Sequence, residues 1–291
     1  MYNPKNKSDQ IKLKIRGLEY NINCWGDSTK PLVLILHGWA DMGISFQFLA
    51  DEMAENWYLV APDWRGFGDT QWNRGGYWFP DYLGDLEALI DYFSPLGSVR
   101  LVGHSMGGNI AWLYAGIRQE RISHTVSLDS FGLPDSLPQN ATSHYAMWLD
   151  QIKQTQKFSN YADIEAVTER IMQLAPKLDL ERAGFLANYW SKKDEEGLLH
   201  LKHDPIHKRI NPVLYRRLEV ESCWRSISAK VLLVLAKESS FYKLYEREKY
   251  REKLNANFIT YTERVIEGTG HMLHLEQPLK LSSILDNFLR Q

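Results

Sequence analysis

Short apolar runs alternate along this chain with longer segments of helical character. Runs that are apolar on both faces and rich in β-branched residues are typical of central strands in a parallel sheet. Helical segments between such runs predict βαβ units and therefore an α/β fold. The predicted strands are Leu32–Leu36, Trp57–Ala61, Val99–Val102, Thr125–Leu128, Val231–Leu235 and Phe258–Val265, and the predicted helices are Phe46–Glu55, Pro80–Phe93 and Gly108–Arg118.

The N-terminal region has a different pattern. Ile11–Ile15 and Leu18–Trp25 alternate between apolar and polar residues on either side of Gly17. Alternation around a turn residue predicts an antiparallel hairpin, which we expect at one edge of the sheet. Together with the six buried runs, the hairpin predicts a mostly parallel, eight-stranded sheet with helices on both faces.

The alternation of strands and helices stops in the second half of the chain. No clear strand pattern appears between Pro134 and Trp224, where aromatic and charged residues are frequent. An insertion of this length in a compact domain is usually functional. We therefore expect a core domain formed by residues 1–133 and 225–291, and a helical cap, residues 134–224, that covers the C-terminal edge of the sheet as a lid.

Composition narrows the classes of partner. The 291 residues, 44% of them hydrophobic, suit one large domain or a domain with an insertion. A net charge of −2 provides no basic surface, so no nucleic acid partner is expected. The polar segment Met1–Gln10 does not resemble a secretory signal, and the nearest apolar run is far too short to cross a bilayer. We expect a cytoplasmic protein without stable membrane insertion.

A nucleophile motif follows the third buried run. The segment Gly103–Gly107 reads Gly-His-Ser-Met-Gly, which matches G-x-S-x-G with Ser105 at its centre. A sharp turn between a strand and a helix lifts the serine oxygen above the sheet edge and crowds its neighbours, which favours flanking glycines. The alternative is a purely structural turn, but the strand before the motif and the helix after it favour catalysis.

His271 is the predicted general base. It lies after the last predicted strand, in a loop that contains Gly268 and Gly270. These glycines let the loop bend back over the sheet edge, where a histidine can reach Ser105 and take its proton.

The remaining histidines are weaker candidates. We expect His104 to point away from the serine, His37 to bond to nearby backbone, and His274 to begin a helix. Three more lie in the cap with a loosely metal-like spacing, but no acid or cysteine set completes a site, so no metal is expected; they are His200, His203 and His207.

Four motifs in order resemble the α/β-hydrolase superfamily over essentially the whole chain. The motifs are Leu36–Trp39, Pro62–Gly68, Val102–Gly108 and Gly270–Pro278. The resemblance implies the α/β-hydrolase fold and a triad in the order nucleophile, acid, histidine. Within the superfamily, the His-Gly-Trp and Asp-Trp-Arg-Gly-Phe-Gly segments most resemble serine-hydrolase-like esterases.

The acid of the implied triad departs from the commonest family pattern. That pattern places an aspartate where this chain has Ser239. Other branches, including the haloalkane-dehalogenase-like group, place the acid one strand earlier. There it follows the strand that comes after the helix behind the nucleophile motif. Asp129 stands there, and a carboxylate at that position can accept the Nδ1–H of the histidine. We therefore expect Asp129 to be the acid. Glu238 is the alternative, with Asp129 then only capping a turn.

The resemblance also implies an oxyanion hole and a pocket. One donor should be the backbone N–H of Met106, the residue after the nucleophile, and the other the N–H of Trp39. Aromatic residues of the cap, together with Phe131, are expected to form an apolar pocket. The cap aromatics are Tyr145, Trp148, Phe158, Tyr161, Phe185, Tyr189 and Trp190.

Serine as the nucleophile indicates an acyl-enzyme. Dehalogenases and epoxide hydrolases of the superfamily use a carboxylate there instead. We therefore expect hydrolysis of small-molecule carboxylic esters with small to medium apolar acyl groups, without a cofactor, by a monomer or homodimer. A carbon–carbon bond hydrolase, a prolyl-type aminopeptidase and a non-catalytic binding protein on the same fold stay open as alternatives.

Overall fold

The computed structural model describes residues 2–157 and 160–291. Their strands are β1 Asp9–Ile15, β2 Leu18–Trp25, β3 Leu32–Leu36, β4 Tyr58–Pro62, β5 Val99–His104, β6 Ile122–Leu128, β7 Ser191–Lys193, β8 Leu199–Leu201, β9 Lys230–Ala236 and β10 Tyr261–Ile266. Their α-helices are α1 Gln47–Met53, α2 Phe79–Phe93, α3 Met106–Ile117, α4 Ala141–Ile152, α5 Ile164–Leu174, α6 Leu180–Trp190, α7 Arg217–Arg225, α8 Ser240–Arg247, α9 Tyr250–Asn255, α10 Leu273–Glu276 and α11 Pro278–Leu289.

Eight strands form one sheet in the order β1-β2-β4-β3-β5-β6-β9-β10. The six strands from β4 to β10 in this order are parallel, and the β1–β2 hairpin joins them antiparallel at one edge. The expected eight-stranded, mostly parallel sheet with an edge hairpin is therefore confirmed. Because the strands are parallel, the C-terminal ends of β3, β5, β6 and β9 lie along the same edge.

Helices cover both faces of the sheet, which explains why the central strands are apolar throughout. On β3, Ile35 packs into one buried cluster with residues of α1 and α11. Leu34 and Leu36 point to the opposite face and pack with residues of α2 and α3. Since neighbouring side chains of a strand alternate between faces, a strand buried on both sides needs apolar residues at nearly every position.

The region predicted as the cap contains α4 to α7 and a short antiparallel hairpin, β7–β8, which the sequence pattern did not indicate. Helices α5 and α6 pack into the same cluster as α1. Helix α7 packs on α3, where the rings of Trp224 and Trp112 are 5.5 Å apart. The division into core and cap stays a prediction. Among the described residues, the helices are all too short or too polar to span a bilayer.

Candidate active site

Ser105 occupies a strained turn between β5 and α3. It follows the last residue of β5 and precedes the first residue of α3, with φ +53° and ψ −115°. A non-glycine residue rarely adopts such angles, and strain of this kind concentrates at functional sites. The flanking glycines are required by space, because a Cβ on Gly103 would lie 2.1 Å from the Gly107 carbonyl oxygen, and one on Gly107 would lie 2.2 Å from that of Leu36.

Asp129 directly follows β6 and contacts His271. One carboxylate oxygen, Oδ2, lies 2.7 Å from His271 Nδ1, and the other accepts a hydrogen bond from the Ala236 backbone N–H at 3.1 Å. The Asp129 side chain is completely buried, whereas that of His271 is 30% exposed. A carboxylate only accepts, so His271 Nδ1 carries a hydrogen, and in the neutral ring the lone pair is then on Nε2. This is the tautomer that a general base needs.

Two further contacts hold His271 in place. Its carbonyl oxygen lies 2.9 Å from Nε2 of His104, the residue before Ser105. Its ring stacks on Phe241 of α8, with the ring centres 4.7 Å apart and the planes 16° from parallel. The loop that carries His271, residues 267–272 and here called the histidine loop, is thus attached directly to the turn at residues 104–106, here called the nucleophile turn after the role predicted for Ser105. Sequence reasoning missed Phe241, since nothing local distinguishes it from other aromatic residues.

The alternative acid, Glu238, lies elsewhere. It follows β9, its side chain is half exposed, and its carboxylate forms an ion pair with Lys177 of the cap region. Ser239, at the position of the usual family acid, caps α8 by accepting a hydrogen bond from the Phe241 N–H at 3.0 Å. Of these two predicted acids, the structure brings only Asp129 to His271.

The residues predicted for the oxyanion hole flank Ser105. Met106 is the first residue of α3, so its N–H has no acceptor within the helix. Trp39 lies in the loop after β3, residues 37–42, here called the oxyanion loop. A Cβ on Gly38 would lie 3.1 Å from the Ser105 Cβ, so the oxyanion loop passes directly beside Ser105.

A cavity of about 670 Å³ opens beside these two residues. Trp39 and Met106 line this cavity, together with Trp148 and Ile152 of α4. The expectation for Phe131 is wrong, because its side chain is fully buried and packs against Tyr245 and Tyr250. Trp190 is also buried in the core instead of lining the cavity. Phe158 lies outside the described residues.

Buried polar side chains brace the loops around the site. His37 Nδ1 donates to the Gly38 carbonyl at 2.7 Å and Nε2 accepts from the Trp64 N–H at 2.8 Å, as expected for a histidine bonded to backbone. Burial lowers the pKa of His37 to about 4. Asp63 accepts hydrogen bonds from the backbone N–H groups of Gly43 and Asp69, and it thereby ties down the loop after β4.

A second group of titratable side chains lies beneath the site. Asp41, His104 and His274 are buried, and their donor atoms lie within 4.8 Å of one another. Residue types and spacing of this kind could hold a metal ion, and no other such group occurs in the described parts of the chain. Burial holds the pKa of His104 well below its usual value. Sequence reasoning did not find this group, because its members come from three separate segments.

Comparison with known proteins gives the family. The model of the α/β hydrolase fold family matches residues 31–278. The serine hydrolase-like protein of Danio rerio is 26% identical over 297 residues, covering 97% of this chain and 89% of that protein. Epoxide hydrolase 3 of Xenopus tropicalis is 33% identical over 124 residues, but these cover only 41% of this chain.

The solved structures agree on the fold. The thioesterase domain from the curacin biosynthetic pathway superposes with a TM-score of 0.86 at 22% identity, over 96% of this chain and 99% of that domain. Because the family model covers most of the chain and the sheet has the expected topology, the chain belongs to the α/β-hydrolase fold family.

Proposed function

We propose that this protein is a serine hydrolase that cleaves carboxylic esters through an acyl-enzyme on Ser105. The observation that carries the proposal is the 2.7 Å contact between His271 Nδ1 and the buried carboxylate of Asp129, on a loop attached to the nucleophile turn. In this proposal Ser105 is the nucleophile, His271 the general base and Asp129 the acid that orients it.

The proposed reaction has two steps. Ser105 Oγ attacks the ester carbonyl carbon while His271 Nε2 takes the hydroxyl proton, and the backbone N–H groups of Met106 and Trp39 stabilise the oxyanion. The C–O bond to the alcohol then breaks, and His271 returns the proton to the leaving oxygen. Water attacks the acyl-enzyme in the same way, which releases the acid and restores the Ser105 hydroxyl.

The identity of the nucleophile favours an acyl substrate. Serine attacking a carbonyl gives an acyl-enzyme that water can hydrolyse, whereas the family resemblance assigns epoxide and haloalkane opening to a carboxylate nucleophile. Relatives named serine hydrolase-like align over 97% of this chain, whereas epoxide hydrolase 3 of Xenopus tropicalis aligns over 41%. This comparison supports the ester reaction over epoxide opening.

The cavity supports small to medium acyl groups. At about 670 Å³ it has the size typical of small-molecule sites. Its walls combine indole rings with a few polar groups; the tryptophans are Trp39, Trp78 and Trp148. Such walls bind apolar chains mainly through the removal of apolar surface from water.

A panel of p-nitrophenyl esters from acetate to decanoate tests the proposal. We expect turnover by the wild type, near-complete loss in Ser105→Ala, and covalent labelling of Ser105 by a fluorophosphonate. Hydrolysis of aminoacyl-naphthylamides without esters would favour an aminopeptidase, and cleavage of a vinylogous diketone alone would favour a carbon–carbon bond hydrolase. Failure of the wild type to react with any of these or with the fluorophosphonate would contradict a serine hydrolase.

A further inference from the structure

The buried group of Asp41, His104 and His274 connects the three loops that carry the proposed chemistry. Asp41 lies in the oxyanion loop, two residues after Trp39. His104 is the last residue of β5 and precedes Ser105. His274 lies in α10, directly after the histidine loop. Their side chains are at most 2% exposed, so their interactions are shielded from water.

One hydrogen bond and two close contacts indicate where the hydrogens of this group lie. His104 Nε2 donates to the His271 carbonyl, so Nδ1 of the neutral ring is a lone pair. This lone pair faces Asp41 Oδ2 at 3.9 Å, and both atoms are acceptors. The remaining member of the group, His274, places Nε2 at 3.4 Å from Asp41 Oδ2. Only an N–H on His274 provides a donor between these acceptors within the described group.

The other oxygen of Asp41 links the group to the cap region. Oδ1 accepts from the Met42 N–H at 2.8 Å and from the Ser45 hydroxyl. The Ser45 oxygen in turn accepts from Nε1–H of Trp190, the last residue of α6, at 3.1 Å. A continuous set of hydrogen bonds thus runs from Trp190 of α6, through Ser45, to the Asp41 carboxylate and the Met42 N–H.

The backbone around this group is held under strain. Ala40, Ser105 and Asp129 have φ values of +57°, +53° and +51°, and they are three of the five non-glycine residues with positive φ in the described chain. Each such residue costs on the order of 1–3 kcal/mol and persists only where surrounding contacts hold it. The buried group lies between two of these positions, Ala40 and Ser105.

We propose that Asp41 and His274 are positioning residues that hold the oxyanion loop, and that His104 beside them holds the histidine loop, at fixed positions around Ser105. This inference rests on the proposed function. The N–H of His274 anchors the Asp41 carboxylate, which fixes the oxyanion loop and hence the Trp39 N–H. His104 fixes the backbone of His271. A displacement of about 1 Å in either loop is enough to cost a factor near 100 in rate.

Two substitutions of His274 separate positioning from packing. His274→Gln keeps a side-chain N–H near the position of Nε2, whereas His274→Leu fills similar space without a donor. For the His274→Gln variant, we expect kcat for p-nitrophenyl acetate to stay within about threefold of wild type. For the His274→Leu variant, kcat should fall roughly 10- to 100-fold, and KM should be nearly unchanged in both variants. If His274 only packs, kcat of the His274→Leu variant should be at least as high as that of the His274→Gln variant.

Every rate is divided by the number of sites that a fluorophosphonate labels, so that unfolded protein does not count. Asp41→Ala and the Asp41→Ala/His274→Leu double variant complete a cycle, in which the double variant should lose little more than the larger single loss. Tyr20→Phe is the matched control, because it removes the buried hydrogen bonds of the Tyr20 hydroxyl with Asp85 and the Arg65 N–H, and Tyr20 does not line the cavity. It should lower the melting temperature and leave kcat unchanged.

The outcomes are distinct. Equal kcat values for His274→Leu and His274→Gln would overturn the positioning role, and so would losses that simply add in the double variant. Turnover by the wild type would in either case still support the proposed function. A wild type that neither hydrolyses esters nor reacts with the fluorophosphonate would overturn both.

Discussion

Asp129→Asn is the substitution that tests the proposed triad most directly. The asparagine has the same shape, and its oxygen can still accept the Ala236 N–H, so the loop after β6 should keep its conformation. Its NH2 group, however, would face Nδ1–H of His271, where two donors cannot bond. To bond with the asparagine, His271 must move its hydrogen to Nε2, which removes the lone pair that the proposed mechanism uses to take the Ser105 proton.

The expected loss follows from burial and distance. The 2.7 Å contact with a fully buried carboxylate is a charge-assisted hydrogen bond, worth about 1.5–3 kcal/mol. The imidazolium that forms in the transition state also loses a neighbouring negative charge, worth about 4 kcal/mol at an effective dielectric constant near 20. The two effects overlap, so we expect a total of about 4–5 kcal/mol, or roughly a thousandfold in kcat/KM.

The assay is steady-state hydrolysis of p-nitrophenyl acetate, with active sites counted by a fluorophosphonate. The loss should fall in kcat, because Asp129 is buried behind His271 and would not contact bound substrate. Glu238→Gln is the matched control, since it neutralises the half-exposed acid that pairs with Lys177 and should leave the rate within about twofold. A large loss of activity in Glu238→Gln together with nearly normal activity in Asp129→Asn would refute the assignment of the acid.

Three further predictions concern the turn, the core and the cavity. Gly107→Ala places a methyl group 2.2 Å from the Leu36 carbonyl oxygen and should destabilise the fold by about 3 kcal/mol or prevent it, as urea unfolding would reveal. Burial lowers the pKa of His37 to about 4 in the folded protein. As the pH falls below about 6.5, His37 therefore becomes protonated in the unfolded chain before it does so in the folded one. The free energy of unfolding should then drop by up to about 1.4 kcal/mol per pH unit between pH 6.5 and 4, and His37→Gln should flatten the measured dependence by that amount; an unchanged slope would count against it. Trp148→Ala should lower kcat/KM for decanoate esters roughly tenfold more than for acetate, because the indole lines the cavity, and equal losses for both would place the acyl chain elsewhere.

The sequence by itself determined the sheet, the sharp turn at Ser105 and the position of Asp129 at the edge of the sheet. Strands buried on both faces need apolar residues at every position, and β3, Leu32–Leu36, has the predicted bounds. The turn at Ser105 is recognisable because its steric demands act within five residues. Only glycine fits at positions 103 and 107. Asp129 was placed at a strand end, and the C-terminal ends of parallel strands share one edge.

Only the tertiary structure decided which side chains meet at that edge. Asp129 and His271 are 142 residues apart in the chain, and their contact depends on the order β5-β6-β9 in the sheet, which no local pattern encodes. The burial of Phe131 and the group formed by Asp41, His104 and His274 depend in the same way on how separate elements pack. Local patterns constrain the backbone within a few residues, whereas a site built from several loops is defined by contacts between distant segments.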